Sequence, residues 1–361
     1  MPNPTQAPMA FRNGVTAANR VWLAPMTNKA SHDDGHLSDD ELHFLTTRAA
    51  GGFGVIESCA THIALDGQGW SGELGIFADR LIKDWQRLAD GIHQHGALLF
   101  PQIFHGGKRA LRGTGRPIPW SCIAYTDAEA PVRAGTIDDI QRVIQQFADA
   151  AERAQAAGTD GVELHGAHGY ILSQFLNPAN DRTDGWGGSL RDRARLVREV
   201  LRAIRARVRD TFVVGVRLSP EGRSDEGSVD LSELVQVAQW LCEDGADFIN
   251  LSLPNATLHS QHHPGVRATR VLRDALPADV PIQVAGQIWT QQDAIDVLEH
   301  GADAVVLGRS AICNPAWPHR VGRDGNEPKR PPITSEELAE RGVGSVFTNY
   351  LKRWPDFVSD G

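Results

Sequence analysis

Cysteine is scarce and scattered in this 361-residue chain: Cys59, Cys122, Cys242 and Cys313 are the four, and no two form a Cys-x-x-Cys pair. That spacing excludes a clustered zinc ribbon and a cysteine-held iron–sulfur centre, and it fits a reducing, cytoplasmic setting. No uncharged apolar run approaches the roughly 18 residues that a membrane-spanning helix needs. Residues 1–10 are Pro-rich and polar, with no basic stretch leading into an apolar one, so no secretory leader is expected. Positive charge is also short, since 36 Lys and Arg face 45 Asp and Glu, a net charge of −9. A nucleic-acid or anionic-membrane binder carries the opposite balance, so neither partner is expected. No Gly-x-Gly-x-x-Gly joins an apolar run directly to a helical pattern, which argues against a Rossmann domain. Low-complexity tracts and inter-domain linkers are missing too.

What is present is an alternation. With 41% hydrophobic and 22% charged residues, the chain is too apolar to be disordered. Short β-branched runs fall at 20–26, 55–61, 98–104, 161–165, 212–218, 247–251, 281–285 and 304–307. Their near-continuous hydrophobicity suits a parallel sheet covered on its outside. Helical patterns lie between them, at 39–50, 79–95, 138–157, 190–208, 231–243, 266–275 and 291–299. Gly158, Gly245 and Gly301 close three of these, and Ser189 with Asp192 opens a fourth. Strand-then-helix units repeated eight times predict an α/β fold, a (β/α)8 TIM barrel. Residues 105–135, rich in Gly, Pro and Arg, form a long insertion after the third strand, of the kind that makes a lid or binding loop. A helical pattern at 335–351 forms a C-terminal tail. The expectation is one domain over 1–361, with the barrel core at about 18–320 and the tail at 321–361.

Barrels of this kind carry their chemistry at the C-terminal ends of the strands. Those ends supply Ala24, Pro25, Met26 and Thr27; Glu57 and Ser58; Gln102 and His105; Glu163, His165, His168 and Tyr170; Arg217; Gly286 and Gln287; Gly308 and Arg309. So many polar groups on one face exceed what a packed core leaves unpaired. Strand alternation puts Glu163 and His165 on one face, opposite Val162 and Leu164. Gly286, Gly308 and Arg309 stand where barrels hold a phosphate, with Arg309 as an anion clamp. Arg217 points to the same mouth, or pairs with an inward carboxylate such as Glu163.

The segment His165-Gly-Ala-His168-Gly-Tyr170-Ile-Leu-x-Gln174-Phe-Leu-x-Pro178 continues as Asn180-x-Arg182-x-Asp184-x-x-Gly187-Gly188-Ser189 and Arg193-x-Arg195. It resembles the signature of the old yellow enzyme family, the FMN-dependent ene-reductases. Pro25-Met26-Thr27, Gln102, Arg217 and Gly308-Arg309 support the likeness, in order, over about residues 8–320. The resemblance implies a tightly, non-covalently bound FMN across the mouth. Ala24, Pro25, Met26, Thr27 and Ser58 would border the flavin ring, and Gln102 its pyrimidine side. Arg217 would lie where negative charge grows on reduction. Gly286, Gln287, Gly308 and Arg309 would hold the phosphate. It further implies NADPH or NADH as reductant and an electron-poor alkene, typically an α,β-unsaturated carbonyl, as substrate. His165 and His168 would bind its carbonyl oxygen, and Tyr170 would protonate the α-carbon as general acid.

Thr27 stands where some members carry Cys, so a thiol effect on the flavin is not expected. Lys29 stands where some members place a substrate-contacting Tyr. It is a candidate substrate-binding residue for an acidic substrate, or a solvated lysine. Cys59, beside Ser58, carries no redox assignment. The tail does not match the arginine finger that some members lend a neighbouring subunit, although a homo-oligomer stays open. Larger relatives add a Cys-rich segment and nucleotide-binding domains that this sequence does not show. A metal-dependent barrel hydrolase or lyase is the competing reading, with His165, His168, Glu163 and the His259/His262/His263 group as ligands. The family reading calls for no metal and treats the second histidine group as a solvated loop. A flavin-free phosphate-sugar or aldol-type barrel would instead use Arg309 and Lys108.

Overall fold

Eight parallel strands close on themselves in the computed structural model, which describes residues 3–126, 131–220, 229–260, 263–321 and 326–359. They are β1 (Val21–Leu23), β2 (Val55–His62), β3 (Leu98–Phe104), β4 (Gly161–Gly166), β5 (Val213–Leu218), β6 (Phe248–Ser252), β7 (Ile282–Ala285) and β8 (Ala304–Leu307). Closure comes from β8 against β1, with Val305 beside Val21 and Leu307 beside Leu23. All eight residues of β2 are buried, as continuous hydrophobic runs require when one face meets the barrel interior and the other a helix. The fold is the (β/α)8 barrel that the strand-helix alternation predicts.

The helices follow the strands. α1 (Asp39–Ala50) and α2 (Ile82–His93) come after β1 and β2, and α3 (Ile137–Ala156) after β3. α3 starts at a capping box in which Thr136 and Asp139 satisfy each other's backbone N–H groups. Its Ile140, Val143, Ile144, Phe147, Ala151 and Ala154 recur at helical spacing and are buried. After β4 comes α4 (Ile171–Leu176), all six residues buried, then α5 (Leu190–Arg193) and α6 (Arg195–Arg205). The single helix expected over 190–208 is thus split at Ala194, because Ser189 caps a four-residue turn before α6 begins. α7 (Leu231–Glu243), α8 (Ala268–Ala275) and α9 (Gln291–Glu299) complete the ring, and α10 (Arg309–Cys313) follows β8 directly. The tail pattern at 335–351 also divides, into α11 (Ser335–Glu340) and α12 (Ser345–Leu351). Gly344 sits at the junction, where a Cβ would lie 2.5 Å from Asp40 Oδ2.

The barrel's N-terminal end is closed by the hairpin Met9–Ala10 and Thr16–Ala17, whose connecting Phe11 enters the interior. Its ring lies 5.8–5.9 Å from those of Trp22, Phe100 and Phe248. Gly215 on β5 makes room for this plug, since a Cβ there would come within 2.1 Å of the Phe248 ring. Within the 105–135 insertion, Trp120–Ser121 pairs with Arg133–Ala134, and Trp120 is buried.

Candidate active site

The ends of β1, β5, β6, β7 and β8 surround a cleft of about 320 Å³. Ala24, Pro25, Met26, Arg217, Gly286, Gln287, Gly308 and Arg309 all line it, eight of the expected cofactor residues in one wall. Gly286 takes φ +151, and a Cβ there would meet the Leu253 carbonyl at 2.5 Å, so only glycine lets β7 turn so close to the β6 loop. Gln287 follows in the left-handed region at φ 54. Thr27 lines a neighbouring cavity of about 300 Å³ that shares Met26 and Arg309 with the cleft. That cavity is apolar and is walled by Phe347, Tyr350, Leu351, Trp354 and Phe357 of the tail.

Ser58 and Gln102 lie deeper. Ser58 is fully buried and accepts from the Gln102 backbone N–H at 3.2 Å, and the Gln102 side chain donates to Glu163 Oε1 at 2.7 Å. They stand in a polar layer inside the barrel rather than on the cleft wall. The alternative partner for Arg217 is not the one realised: Glu163 instead accepts from Gln102 and, at 2.6 Å, from Asn250. Arg217 Nη2 donates to Ser252 Oγ at 3.1 Å.

His165, His168 and Tyr170 come together beside this cleft. The His165 ring lies 5.0 Å from that of His168 and 4.9 Å from that of Tyr170, both edge-on. The strand ends at Gly166, and His168 adopts φ 59, which swings its ring back towards the mouth. His168 Nε2 is then 2.8 Å from Ser252 Oγ, so Ser252 joins the histidine to Arg217 and to the cleft wall. Tyr170 caps α4 and packs edge-on against Phe104, 4.8 Å away, which stacks on Trp70. Burial, first, and then the positive charges of Arg217 and Arg109 hold His168 neutral, its pKa lowered to about 3. His165 is driven well below the ordinary histidine range by burial, His168 and the same two arginines. Both rings are therefore neutral at physiological pH, each with one N–H to donate.

Three contributors escape sequence reading. Ser252 ends β6 and Ser310 follows Gly308-Arg309 after β8, so strand-end position was the signal that could have found them. Arg109, in the insertion, lies with its guanidinium 5.9 Å from the Tyr170 ring centre. Lys29 is turned to the tail, its Nζ 5.3 Å above the Tyr350 ring. His105 is buried, with its ring 5.4 Å from that of Trp120 and Nε2 3.6 Å from Asp66. His263 faces Asp230 at 3.2 Å, and His262 lies outside the described residues. Among the described residues no three His, Cys, Asp or Glu side chains gather as a metal-ligand set. No helix among them is long and apolar enough to cross a membrane.

The cleft fits a flavin mononucleotide on the structure's own terms. Arg217 Nε and Ser310 Oγ are buried and find no partner within the protein, and buried polar groups of that kind call for one. The polar cleft beside an apolar, aromatic cavity matches a ligand with an anionic end and a flat apolar edge.

A model of the NADH:flavin oxidoreductase / NADH oxidase family matches residues 6–327, and the chain belongs to that family, the old yellow enzyme group. The Bacillus subtilis protein named "Probable NADH-dependent flavin oxidoreductase YqiG" is 34% identical over 90% of this chain and 89% of its own length. An NADH oxidase of Thermoanaerobacter brockii is 30% identical over 97% of this chain, which spans 56% of that protein. Among solved structures, the old yellow enzyme homologue of Zymomonas mobilis superposes with a TM-score of 0.80 at 27% identity, covering 94% of this chain and 98% of the other.

Proposed function

We propose that this chain acts as one FMN-binding domain that reduces activated alkenes at the expense of NADPH or NADH. The observation that carries the reading is the trio His165, His168 and Tyr170, packed ring against ring at the mouth, with both histidines neutral. Ala24, Pro25, Met26, Thr27 and Arg217 would border the FMN ring, and Gly286, Gln287, Gly308, Arg309 and Ser310 would hold its phosphate. Ser58 and Gln102 would support the ring from beneath. Bound FMN, held without a covalent link, supplies hydride chemistry between the nicotinamide and the alkene β-carbon.

The protein's own groups do the rest. His165 and His168 each donate an N–H to the carbonyl oxygen of an α,β-unsaturated substrate. That oxygen gains negative charge as the β-carbon is reduced, so donors aimed at it stabilise the transition state more than the ground state. Neutral rings suit this role, because an imidazolium pair beside Arg217 and Arg109 would repel. Ser252 fixes the His168 ring through Nε2. The Tyr170 hydroxyl delivers a proton to the α-carbon. Trp70 and Phe104 give Tyr170 an apolar wall that keeps competing water away. Lys29, stacked over Tyr350 of the tail, would favour substrates with an acidic group.

Tyr170→Phe tests the assignment. Reduction of the flavin by NADPH should proceed as in the parent chain, while turnover of cyclohexenone falls on the order of 10²–10³-fold. Enone turnover unchanged in this variant would remove Tyr170 from the acid's role.

A further inference from the structure

Between the aromatic plug and the mouth, the barrel interior holds two carboxyl groups, Glu57 on β2 and Glu163 on β4, both fully buried. Their surroundings differ. Glu163 accepts from the Gln102 amide at 2.7 Å and the Asn250 amide at 2.6 Å, one donor on each oxygen. Two amide donors satisfy both of its oxygens. Glu57 lies against Glu163 and Asn250, but neither of its oxygens has a partner at full hydrogen-bond geometry. The cation facing the pair is Arg217 on β5, whose Nη2 donates to Ser252. Gln283 on β7 completes the layer as a neutral neighbour, beside Asn250 in register. A second anion at Glu57 would be stripped of water, short of well-placed donors and pressed against a neighbouring carboxyl group. Burial, and then the charge of Glu163, push the Glu57 carboxyl well above its usual range.

We propose that Glu57 is held as the un-ionised acid, so that the two interior carboxyls carry one negative charge between them, balanced by Arg217. Glu57 is thereby a positioning residue. With the proton on Glu57, Glu163 can anchor Gln102 and Asn250 while the Arg217 charge stays available at the cleft. Ionising Glu57 would turn the net charge beneath the cleft from zero to −1 and oppose any gain of negative charge by what the cleft holds. The proton itself stands on the barrel interior alone; its consequence for the cofactor rests on the function proposed above.

Infrared spectroscopy of the purified protein at pH 8 reads the proton directly. An un-ionised carboxyl carbonyl band is expected, shifted in deuterium oxide and lost in Glu57→Gln. Glu73, also buried and raised well above its usual range, contributes a component of its own, which Glu73→Gln removes separately. In holoenzyme, Glu57→Gln should leave the ratio of affinities for reduced and oxidised FMN, read from the bound midpoint potential, within about twofold. Removing a buried anion from this layer would instead raise it on the order of tenfold or more. A spectrum at pH 8 from which Glu57→Gln subtracts nothing overturns the proposal, and so does the larger shift in affinity ratio. Glu57→Met, close in volume and without polar groups, should also fold. Failure of both variants to fold would overturn the proposal, because a neutral acid is close in shape and charge to Gln and in volume to Met. Protein that binds no flavin would still give the infrared answer, which separates this proposal from the functional one.

Discussion

At the N-terminal end of the barrel interior, Phe11, Trp22, Phe100 and Phe248 fill the space with rings 5.4–5.9 Å apart. Two residues further along the same strands stand Gln102 and Asn250, and beside them Glu57, Glu163 and Arg217. The backbone is continuous and every position is buried, so the change from rings to charges is a change of task. The plug lowers free energy by removing apolar surface from water and packing rings edge to face. The polar layer gains little that a hydrocarbon core would not supply, and it requires partners for each atom. What it provides is placement of donors, cations and neutral histidines at the mouth. Stability is concentrated at one end and chemistry at the other, as in barrels generally.

The largest expected effect breaks the plug. Phe248→Ala removes a fully buried ring that touches three others and should cost about 3–5 kcal/mol, read as a lower denaturation midpoint in urea. The flavin spectrum of the folded fraction should stay as in the parent, because the mouth is untouched. A variant with unchanged stability and an altered spectrum would reverse the division of labour.

A smaller effect exposes the mouth to pH. His168 is lowered to about 3, while an unfolded histidine titrates near 6.5. The unfolded chain therefore binds more protons below pH 6.5. The contribution to stability is fully present above that value and is lost as pH falls towards 3. Between pH 7 and 5 the protein should lose on the order of 1–2 kcal/mol through this residue, and His168→Asn should flatten the loss by that amount. His62, also lowered to about 3 by burial, adds a similar slope away from the mouth. An acid limb identical in the parent and in His168→Asn would mean that folding does not lower the His168 pKa.

The smallest effect concerns the link between the two halves of the mouth. Ser252→Ala removes contacts at 2.8 Å to His168 and 3.1 Å to Arg217. A loss of about 1 kcal/mol in enone binding is expected, seen as a severalfold rise in KM with kcat for flavin reduction retained. No change in KM would mean that packing alone orients the histidine.

Much of this was legible in the sequence, for physical reasons. Strands covered on both faces leave unbroken apolar runs, so all eight were placed within one or two residues, except β1, where the expected 20–26 shortens to Val21–Leu23. Ala24 to Thr27 leave the ladder to line the mouth. α4 left no trace because all six residues are buried and show no amphipathic period. The break at Ala194 and the split tail depend on a cap and on the crowding of Gly344 against Asp40, which periodicity does not register. In the site, strand-end positions were readable because topology brings them to one face. Ser252 and Ser310 sit at strand ends too but carry no titratable or charged group to draw notice, and Arg109 was not readable because its relevance comes from Tyr170, distant in sequence.

The central claim is that one mouth serves both half-reactions. The direct test is the visible spectrum of purified protein under anaerobic conditions, first with NADPH and then with cyclohexenone. A bound-flavin spectrum that bleaches with the first and returns with the second is the predicted result. A flavin that bleaches and stays bleached when the enone is added would contradict the role given to His165, His168 and Tyr170.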